Sequence, residues 1–206
     1  MGRVRGKDWM KEHVADAHVK RARAEGLRSR AAYKLEEIAA RDRLLRPGLL
    51  VVELGAAPGG WSQYVARGIA PGGELVALDL LDMPGLPGVR FIQGDFRESD
   101  ARRALEEALA GRRADLVLSD MAPNLSGVPA TDQARAMALA ELSLDFALKH
   151  LKPQGNFLVK TFQGTGFEDF LKLLRARFRA TAVRKPAASR SRSSEVYLLG
   201  KGLREG

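Results

Sequence analysis

Three carboxylates and one lysine stand at or near the ends of short apolar runs, where ionisable groups are unexpected. Asp79, Asp95 and Asp120 each end or follow such a run, and Lys160 lies within another. The runs predict β-strands, and the carboxyl ends of parallel strands meet at one edge of a sheet, where ligands bind. A strand-terminal Asp can also be a simple cap or turn former. Charges in buried strands need partners or a ligand, so this edge is the candidate site.

Alternating strand and helix patterns supply the elements that position these groups. The first strand is predicted from about residue 49 to a Gly-rich turn that includes Gly55 and Gly59. Further strands are predicted over 74–80, 89–93, 116–119, 157–161, 181–184 and 196–199. Helical periodicity begins after Ser29, a candidate cap, and recurs after Trp61 and over 99–110, 131–150 and 167–178. This alternation predicts an α/β domain whose mostly parallel sheet is covered on both faces.

Two further residues are expected to join the edge. The last two strands are too close in sequence for a helical crossover, so they should pair antiparallel. An antiparallel strand starts where its parallel neighbours end, which brings Glu195 to the same edge. Lys34 could reach it from the helix before the first strand, or could instead pair with Glu37 one helical turn away.

The turn after the first strand favours a particular class of ligand. Gly55 and Gly59 are four residues apart with Ala57 between them, which does not match the dinucleotide fingerprint G-x-G-x-x-G. Pro58 removes a backbone N–H that a pyrophosphate would use. The turn therefore favours a nucleoside without phosphates, such as S-adenosylmethionine; the alternative is a packed turn that binds nothing.

Composition narrows the possible functions. The 206 residues suit one domain, and the absence of cysteine excludes disulfides, thiolate metal sites and cysteine nucleophiles. The three histidines have no ligand spacing, so no metal site is expected. No membrane span or signal peptide is predicted, and we expect a cytoplasmic protein.

The net charge of +9 is concentrated at the two ends of the chain. Residues 1–30 carry +5 and residues 172–206 carry +8, which leaves −4 for the centre. We predict a basic N-terminal arm over residues 1–28, followed by one domain over residues 29–206 that contains a second basic segment at 185–194. Basic ends around an acidic centre suggest a nucleic acid held by the termini, although a charged run is often only a solvated face.

Four separated segments resemble the FtsJ/RrmJ family of bacterial 2′-O-ribose methyltransferases. They read GLRSRA at 26–31, LGAAPGGWSQ at 54–63, SDMAPN at 119–124 and RSSEVY at 192–197. The resemblance implies a Rossmann-like class I methyltransferase fold with seven strands, the last one antiparallel. It implies S-adenosylmethionine as cofactor and a monomer that methylates a uridine in the aminoacyl-tRNA-binding loop (A loop) of large-subunit ribosomal RNA, on the assembled ribosomal subunit.

The same resemblance assigns roles to individual residues. The family's catalytic tetrad matches Lys34, Asp120, Lys160 and Glu195. Cofactor contacts are implied for a second set: Gly55, Gly59, Trp61, Asp79, Asp95 and Asp120. Asp79 would hold the ribose hydroxyls and Asp95 the adenine amino group.

Lys160 would take the proton of the ribose hydroxyl or orient its lone pair. Burial and Lys34 would lower the pKa of Lys160, whereas Asp120 and Glu195 would raise it, so the sequence leaves both roles open. Other possibilities are a transfer-RNA or messenger-RNA cap ribose methyltransferase, a non-catalytic RNA-binding ribosome-assembly factor and, against the glycine spacing, a nicotinamide-dependent oxidoreductase.

Overall fold

The computed structural model describes residues 17–189 and 193–204, which contain six α-helices and one seven-stranded β-sheet. The helices are α1 Ala17–Ala24, α2 Ala31–Asp42, α3 Gly60–Ile69, α4 Ser99–Leu109, α5 Pro129–His150 and α6 Phe167–Arg177. The strands are β1 Leu50–Leu54, β2 Glu74–Asp79, β3 Val89–Gln93, β4 Ala114–Ser119, β5 Leu151–Phe162, β6 Phe178–Arg184 and β7 Glu195–Leu203.

The sheet is mostly parallel, with the strand order β3-β2-β1-β4-β5-β7-β6. Strands β1 to β5 pair in parallel, whereas β7 lies antiparallel between β5 and β6. Only ten residues separate β6 from β7, which is too few for a helical crossover. The predicted α/β fold with an antiparallel last strand is therefore confirmed.

Apolar side chains cover both faces of the sheet. On one face, Phe157 belongs to a core shared with α4, α5 and α6. On the other face, Leu158 belongs to a core shared with α2 and α3. These neighbours in β5 point to opposite faces, as the two-residue period of a strand requires. All five residues of β1 are buried, so the strand that leads to the Gly-rich turn is fixed from both sides.

Strand β5 is longer than the sequence indicates, because it begins at Leu151 and not near Phe157. Leu151 pairs with Ala114, and the register then shifts so that Asn156 pairs with Leu116. Pro153 and Gly155 lie within this register shift, and Pro and Gly are residue types that are typical of turns.

Part of the predicted basic arm packs on the domain. In α1, Val19 and Ala22 are buried, and Ala22 contacts Tyr33 and Ala188. The Tyr33 hydroxyl donates a hydrogen bond to Glu25 at 2.9 Å. Residues 1–16 of the arm and residues 190–192 of the second basic segment lie outside the described residues. Among the described helices, none combines the length and apolar character needed to cross a bilayer.

Candidate active site

The ionisable residues predicted at the carboxyl edge of the sheet do lie at that edge. Asp79 is the last residue of β2, and Asp120 directly follows β4. Lys160 lies two residues before the end of β5, and Glu195 begins β7 opposite Phe162. Asp95 follows β3 by two residues. Parallel topology and one antiparallel strand are sufficient to place these groups together.

Lys160 and Asp120 form one of two ion pairs in the site. The Lys160 Nζ atom lies 3.1 Å from Asp120 Oδ1 and also donates a hydrogen bond to the Asp120 carbonyl oxygen. The Lys160 side chain is only 9% exposed. The charge of Lys160 is therefore compensated by Asp120 and not by water.

Lys34 and Glu195, which are 161 residues apart in sequence, form the second ion pair. The Lys34 Nζ atom donates to Glu195 Oε1 at 2.6 Å, and the Ser189 hydroxyl donates to the same oxygen at 2.9 Å. Burial of Glu195 opposes its ionisation, but the Lys34 charge and these hydrogen bonds outweigh it, so the pKa of the carboxyl is lowered. Lys160 also lowers the Glu195 pKa by electrostatic attraction, which couples the two pairs.

Helix α2 carries Lys34 to this position. The Ser29 hydroxyl accepts a hydrogen bond from the Ala31 N–H at 3.1 Å, while Arg30 occupies the N-cap position itself. Leu35 and Ile38 are buried against the sheet and fix the rotation of the helix. Lys34 thus faces β7 and pairs with Glu195.

Tyr197 joins the two ion pairs and was not assigned a role from the sequence. Its hydroxyl donates a hydrogen bond to Asp120 Oδ1 at 2.9 Å, and its ring lies 5.8 Å from Lys34 Nζ. Burial, followed by the charge of Asp120, raises the pKa of Tyr197 well above its ordinary value, so the hydroxyl remains a donor. Tyr197 follows Glu195 by two residues in β7, and this spacing is the signal that could have identified it.

A cavity of about 850 Å³ opens beside the ion pairs. Its lining residues include Gly55, Asp79, Asp95, Asp120 and Lys160. Lys34 and Glu195 are not among the lining residues. A cavity of this size is within the range of small-molecule and cofactor sites.

Asp79 and Asp95 present carboxylates that are already oriented. The Asp79 oxygens accept hydrogen bonds from the Ala57 and Leu81 backbone N–H groups, both at 2.8 Å. Hydrogen bonds from the Arg97 side chain, and then from its backbone, lower the pKa of Asp95. Both residues can therefore present carboxyl oxygens as hydrogen-bond acceptors toward a ligand.

The Gly-rich turn brings backbone close to the cavity at Gly55. Gly55 has a φ of +82°, and a Cβ atom there would lie 2.7 Å from the Met121 nitrogen. Gly59, with a φ of +104°, approaches Arg28 and Met83 and does not line the cavity.

Trp61 does not line the cavity either. Its indole Nε1 donates to the Ala31 carbonyl oxygen at 2.7 Å, and its ring packs against Tyr197 at a centroid distance of 5.7 Å. The side chain is thus buried between α2 and β7, and the cofactor contact implied for Trp61 stays a prediction.

Glu53 is a second residue that the sequence did not single out. It is fully buried in β1, where its Oε2 atom accepts a hydrogen bond from the Ser62 hydroxyl at 2.7 Å. Its Oε1 atom has no partner among the described residues. Burial, with smaller contributions from Asp120 and Asp79, raises the pKa of Glu53 to about 8. A neutral carboxyl group therefore lies below the Gly-rich turn.

Comparisons with known proteins cover nearly the whole chain. Residues 27–203 match the family model described as FtsJ-like methyltransferase. The ribosomal RNA large subunit methyltransferase E of Xanthomonas oryzae pv. oryzae is 60% identical over 196 residues, which are 95% of this chain and 93% of that protein.

Solved structures resemble the fold. A Plasmodium falciparum protein described as a ribosomal RNA methyltransferase has a TM-score of 0.76 and 26% identity, over 87% of this chain and all of that one. A Streptococcus mutans protein described as a methyltransferase, in complex with S-adenosylhomocysteine, has a TM-score of 0.52 over 78% of this chain and 90% of that one. Its identity of 10% supports a shared fold alone.

Proposed function

Because the chain belongs to the FtsJ-like methyltransferase family, we propose that it transfers a methyl group from S-adenosylmethionine to the ribose 2′-hydroxyl of a uridine. The substrate is the A loop of large-subunit ribosomal RNA in the assembled ribosomal subunit, and the protein acts in the cytoplasm as a monomer. One observation carries this proposal: the paired residues Lys34–Glu195 and Lys160–Asp120 meet beside a cofactor-sized cavity. The name of the Xanthomonas relative supports ribosomal RNA as the substrate.

The cavity fits S-adenosylmethionine, which supplies an electrophilic methyl group on a sulfonium when bound. Gly55 and Met121 both line the cavity, and only a glycine allows this close approach, because a Cβ atom at position 55 would meet the Met121 nitrogen. Asp79 would accept hydrogen bonds from the ribose hydroxyls of the cofactor, and Asp95 would accept one from its adenine amino group. Asp79, Asp95 and Asp120 line the cavity together with Arg97, Arg135 and Lys160, so the cavity offers both acidic and basic groups to a ligand.

Lys160 orients the hydroxyl that attacks the methyl group. An ammonium has three N–H donors, and Asp120 engages Lys160 through its carbonyl oxygen and Oδ1. The remaining N–H is available for the ribose oxygen, and this contact directs the oxygen lone pair toward the methyl group. Asp120 Oδ2 has no hydrogen-bond partner among the described residues. It would receive the hydroxyl proton as the hydroxyl oxygen bonds to the methyl carbon and the methyl–sulfur bond breaks, with the electron pair of that bond going to the sulfur.

Positioning supplies most of the rate in this mechanism. Lys34 and Tyr197 act through the groups that they hold: Lys34 keeps Glu195 ionised, and Tyr197 fixes the Asp120 carboxylate. The ion pairs keep each buried charge compensated, so the site is ordered before the RNA arrives.

The test is a methyl-transfer assay on large ribosomal subunits from a strain that lacks the enzyme. Purified protein, radiolabelled S-adenosylmethionine and these subunits are incubated, and the modified nucleotide is located by its resistance to alkaline hydrolysis. We expect label at a single uridine of the A loop, with none on transfer RNA or capped messenger RNA. Binding to the subunit without methyl transfer would instead identify a non-catalytic assembly factor.

A further inference from the structure

A second groove, of about 500 Å³, lies at the same edge of the sheet, across the segment 123–125 from the cofactor cavity. Its lining residues include Pro123, Leu125, Gln133, Phe162, Thr165 and Ser194. We propose that this groove, called the rim groove below, binds the base of the nucleotide that is methylated, with Gln133 Oε1 accepting a hydrogen bond from a ring N–H. The proposal rests on the proposed function, because it identifies the base beside the ribose that Lys160 orients.

The rim groove is continuous with the ion pairs. Phe162 follows Lys160 by two residues in β5 and pairs with Glu195 in β7, and Ser194 directly precedes Glu195. The Gln163 N–H donates to the Ser194 carbonyl oxygen at 3.0 Å, which joins the two strand ends at the floor of the groove. Two strand residues span about 7 Å, so side chains at these two positions are near enough to contact one nucleotide.

Gln133 is held in one orientation by its amide nitrogen. Its Nε2 atom donates to the Phe162 carbonyl oxygen at 3.1 Å and to the Thr165 carbonyl oxygen at 3.0 Å. Both amide hydrogens are therefore used, and a flipped amide would place its oxygen against two carbonyl oxygens. Gly164 packs against this amide, because a Cβ atom there would lie 3.1 Å from Gln133 Cδ.

The amide oxygen of Gln133 is thereby a fixed and unused acceptor. No described residue donates a hydrogen bond to Oε1, and this atom is not among the buried atoms that lack a partner. It is therefore accessible to a ligand in the rim groove. Its partner must be a hydrogen-bond donor, because an amide oxygen can only accept.

Hydrogen bonds within the chain hold the other wall of the groove. Asp132 Oδ1 accepts hydrogen bonds from the Ser126 N–H and hydroxyl, both at 2.7 Å, and Oδ2 accepts one from the Gly127 N–H at 3.1 Å. These bonds hold the loop that presents Leu125, whose exposure of 78% is unusual for a large apolar side chain. A base inserted into the groove would cover part of this apolar surface.

The chemistry of the acceptor selects among pyrimidines. Uracil carries a ring N–H at N3, whereas the same atom of cytosine is an acceptor and would face Gln133 Oε1 without a hydrogen. The rim groove should therefore favour uridine over cytidine at the methylated position. A single well-placed contact of this kind discriminates by roughly 10- to 100-fold.

The experiment compares single-turnover methylation of two substrates. Large subunits from a strain that lacks the enzyme carry either the natural uridine or a cytidine at the mapped position. We expect the wild-type protein to favour uridine by roughly 10- to 100-fold, and Gln133→Leu to bring this ratio close to one. Gln93→Leu is the matched control, because Gln93 also donates to a backbone carbonyl oxygen but lies outside the groove, and its ratio should remain that of the wild type.

Three results would overturn the proposal. Equal rates of the wild-type protein on both substrates would do so without any variant. Equal slowing of both substrates by Gln133→Leu, with the ratio preserved, would assign Gln133 to packing alone. Failure of the wild-type protein to methylate either particle would remove the proposed function, and the assignment of the groove with it.

Discussion

Replacement of Glu53 by Gln should change how the stability of this protein depends on pH. Glu53 is buried in β1, and its folded-state pKa is about 8, against an ordinary value of 4.5. Between these values the folded protein retains a proton that the unfolded chain has released. Stability contributed by this group is therefore complete below pH 4.5 and is lost as pH rises through 8.

The magnitude follows from the difference between these two pKa values. At about 1.36 kcal/mol per pH unit, the free energy of unfolding falls by roughly 5 kcal/mol across the whole interval, and by about 3 kcal/mol between pH 5.5 and 8. The Gln side chain does not titrate, so this dependence should disappear in Glu53→Gln. Any fixed penalty of the new amide shifts the curve of the variant without changing its slope.

Urea denaturation from pH 5.5 to 8 measures the effect. The variant should gain about 3 kcal/mol relative to the wild type across this range. Glu74→Gln is the control: the Glu74 pKa is lowered by hydrogen bonds from Arg112, so this group is ionised in both states throughout the range. Parallel stability curves for wild type and Glu53→Gln would refute the buried neutral carboxyl.

Three further predictions concern the turn, the core and the RNA. Gly55→Ala should abolish cofactor binding measured by calorimetry, since its Cβ atom would meet the Met121 nitrogen at 2.7 Å; Gly72→Ala, with a similar φ of +78° but open space, should retain it. Loss of cofactor binding in both variants would indicate that backbone strain at a positive φ, and not the contact with Met121, is the cause. Asp42→Asn, which disrupts two 2.7 Å hydrogen bonds from Arg184, should lower the free energy of unfolding by about 2 kcal/mol at neutral pH. The Asp42 pKa is lowered by these bonds, so the stability difference between wild type and Asp42→Asn should shrink as pH falls below 3.8. An unchanged urea midpoint of the variant at neutral pH would show that the Asp42–Arg184 pair does not stabilise the fold. RNA affinity should fall steeply with salt in filter-binding titrations, because the chain carries +9; a flat response would argue against phosphate contacts.

Much of the candidate site could be predicted from sequence because topology places it. Asp79 and Asp120 sit at strand ends, where a parallel sheet collects them at one edge. The short connection before β7 requires an antiparallel strand, and this brings Glu195 to the same edge. Lys160 stood out because a lysine within an apolar strand needs a partner.

The contacts that depend on side-chain packing could not be predicted. Lys34 could have paired with Glu37 in the same helix, but Glu37 accepts a hydrogen bond from the Ala187 N–H, and Lys34 pairs with Glu195. The burial of Glu53 depends on how α3 covers the end of β1, and a strand pattern carries no signal for it. The hydrogen bond from Trp61 to the Ala31 carbonyl oxygen depends on the packing of α2 against the sheet, and the sequence carries no signal for it.

The role of Lys160 is tested most directly by the single-turnover rate of Lys160→Met, together with its affinity for S-adenosylmethionine. Methionine keeps most of the length of the side chain and removes the ammonium that pairs with Asp120. The rate on large subunits should fall by at least roughly 100-fold. The dissociation constant from calorimetry should stay within about threefold of the wild type, which is less than 1 kcal/mol. A variant that methylates within about tenfold of the wild-type rate, a difference of only 1.4 kcal/mol, would contradict the proposed role of Lys160 in orienting the ribose hydroxyl.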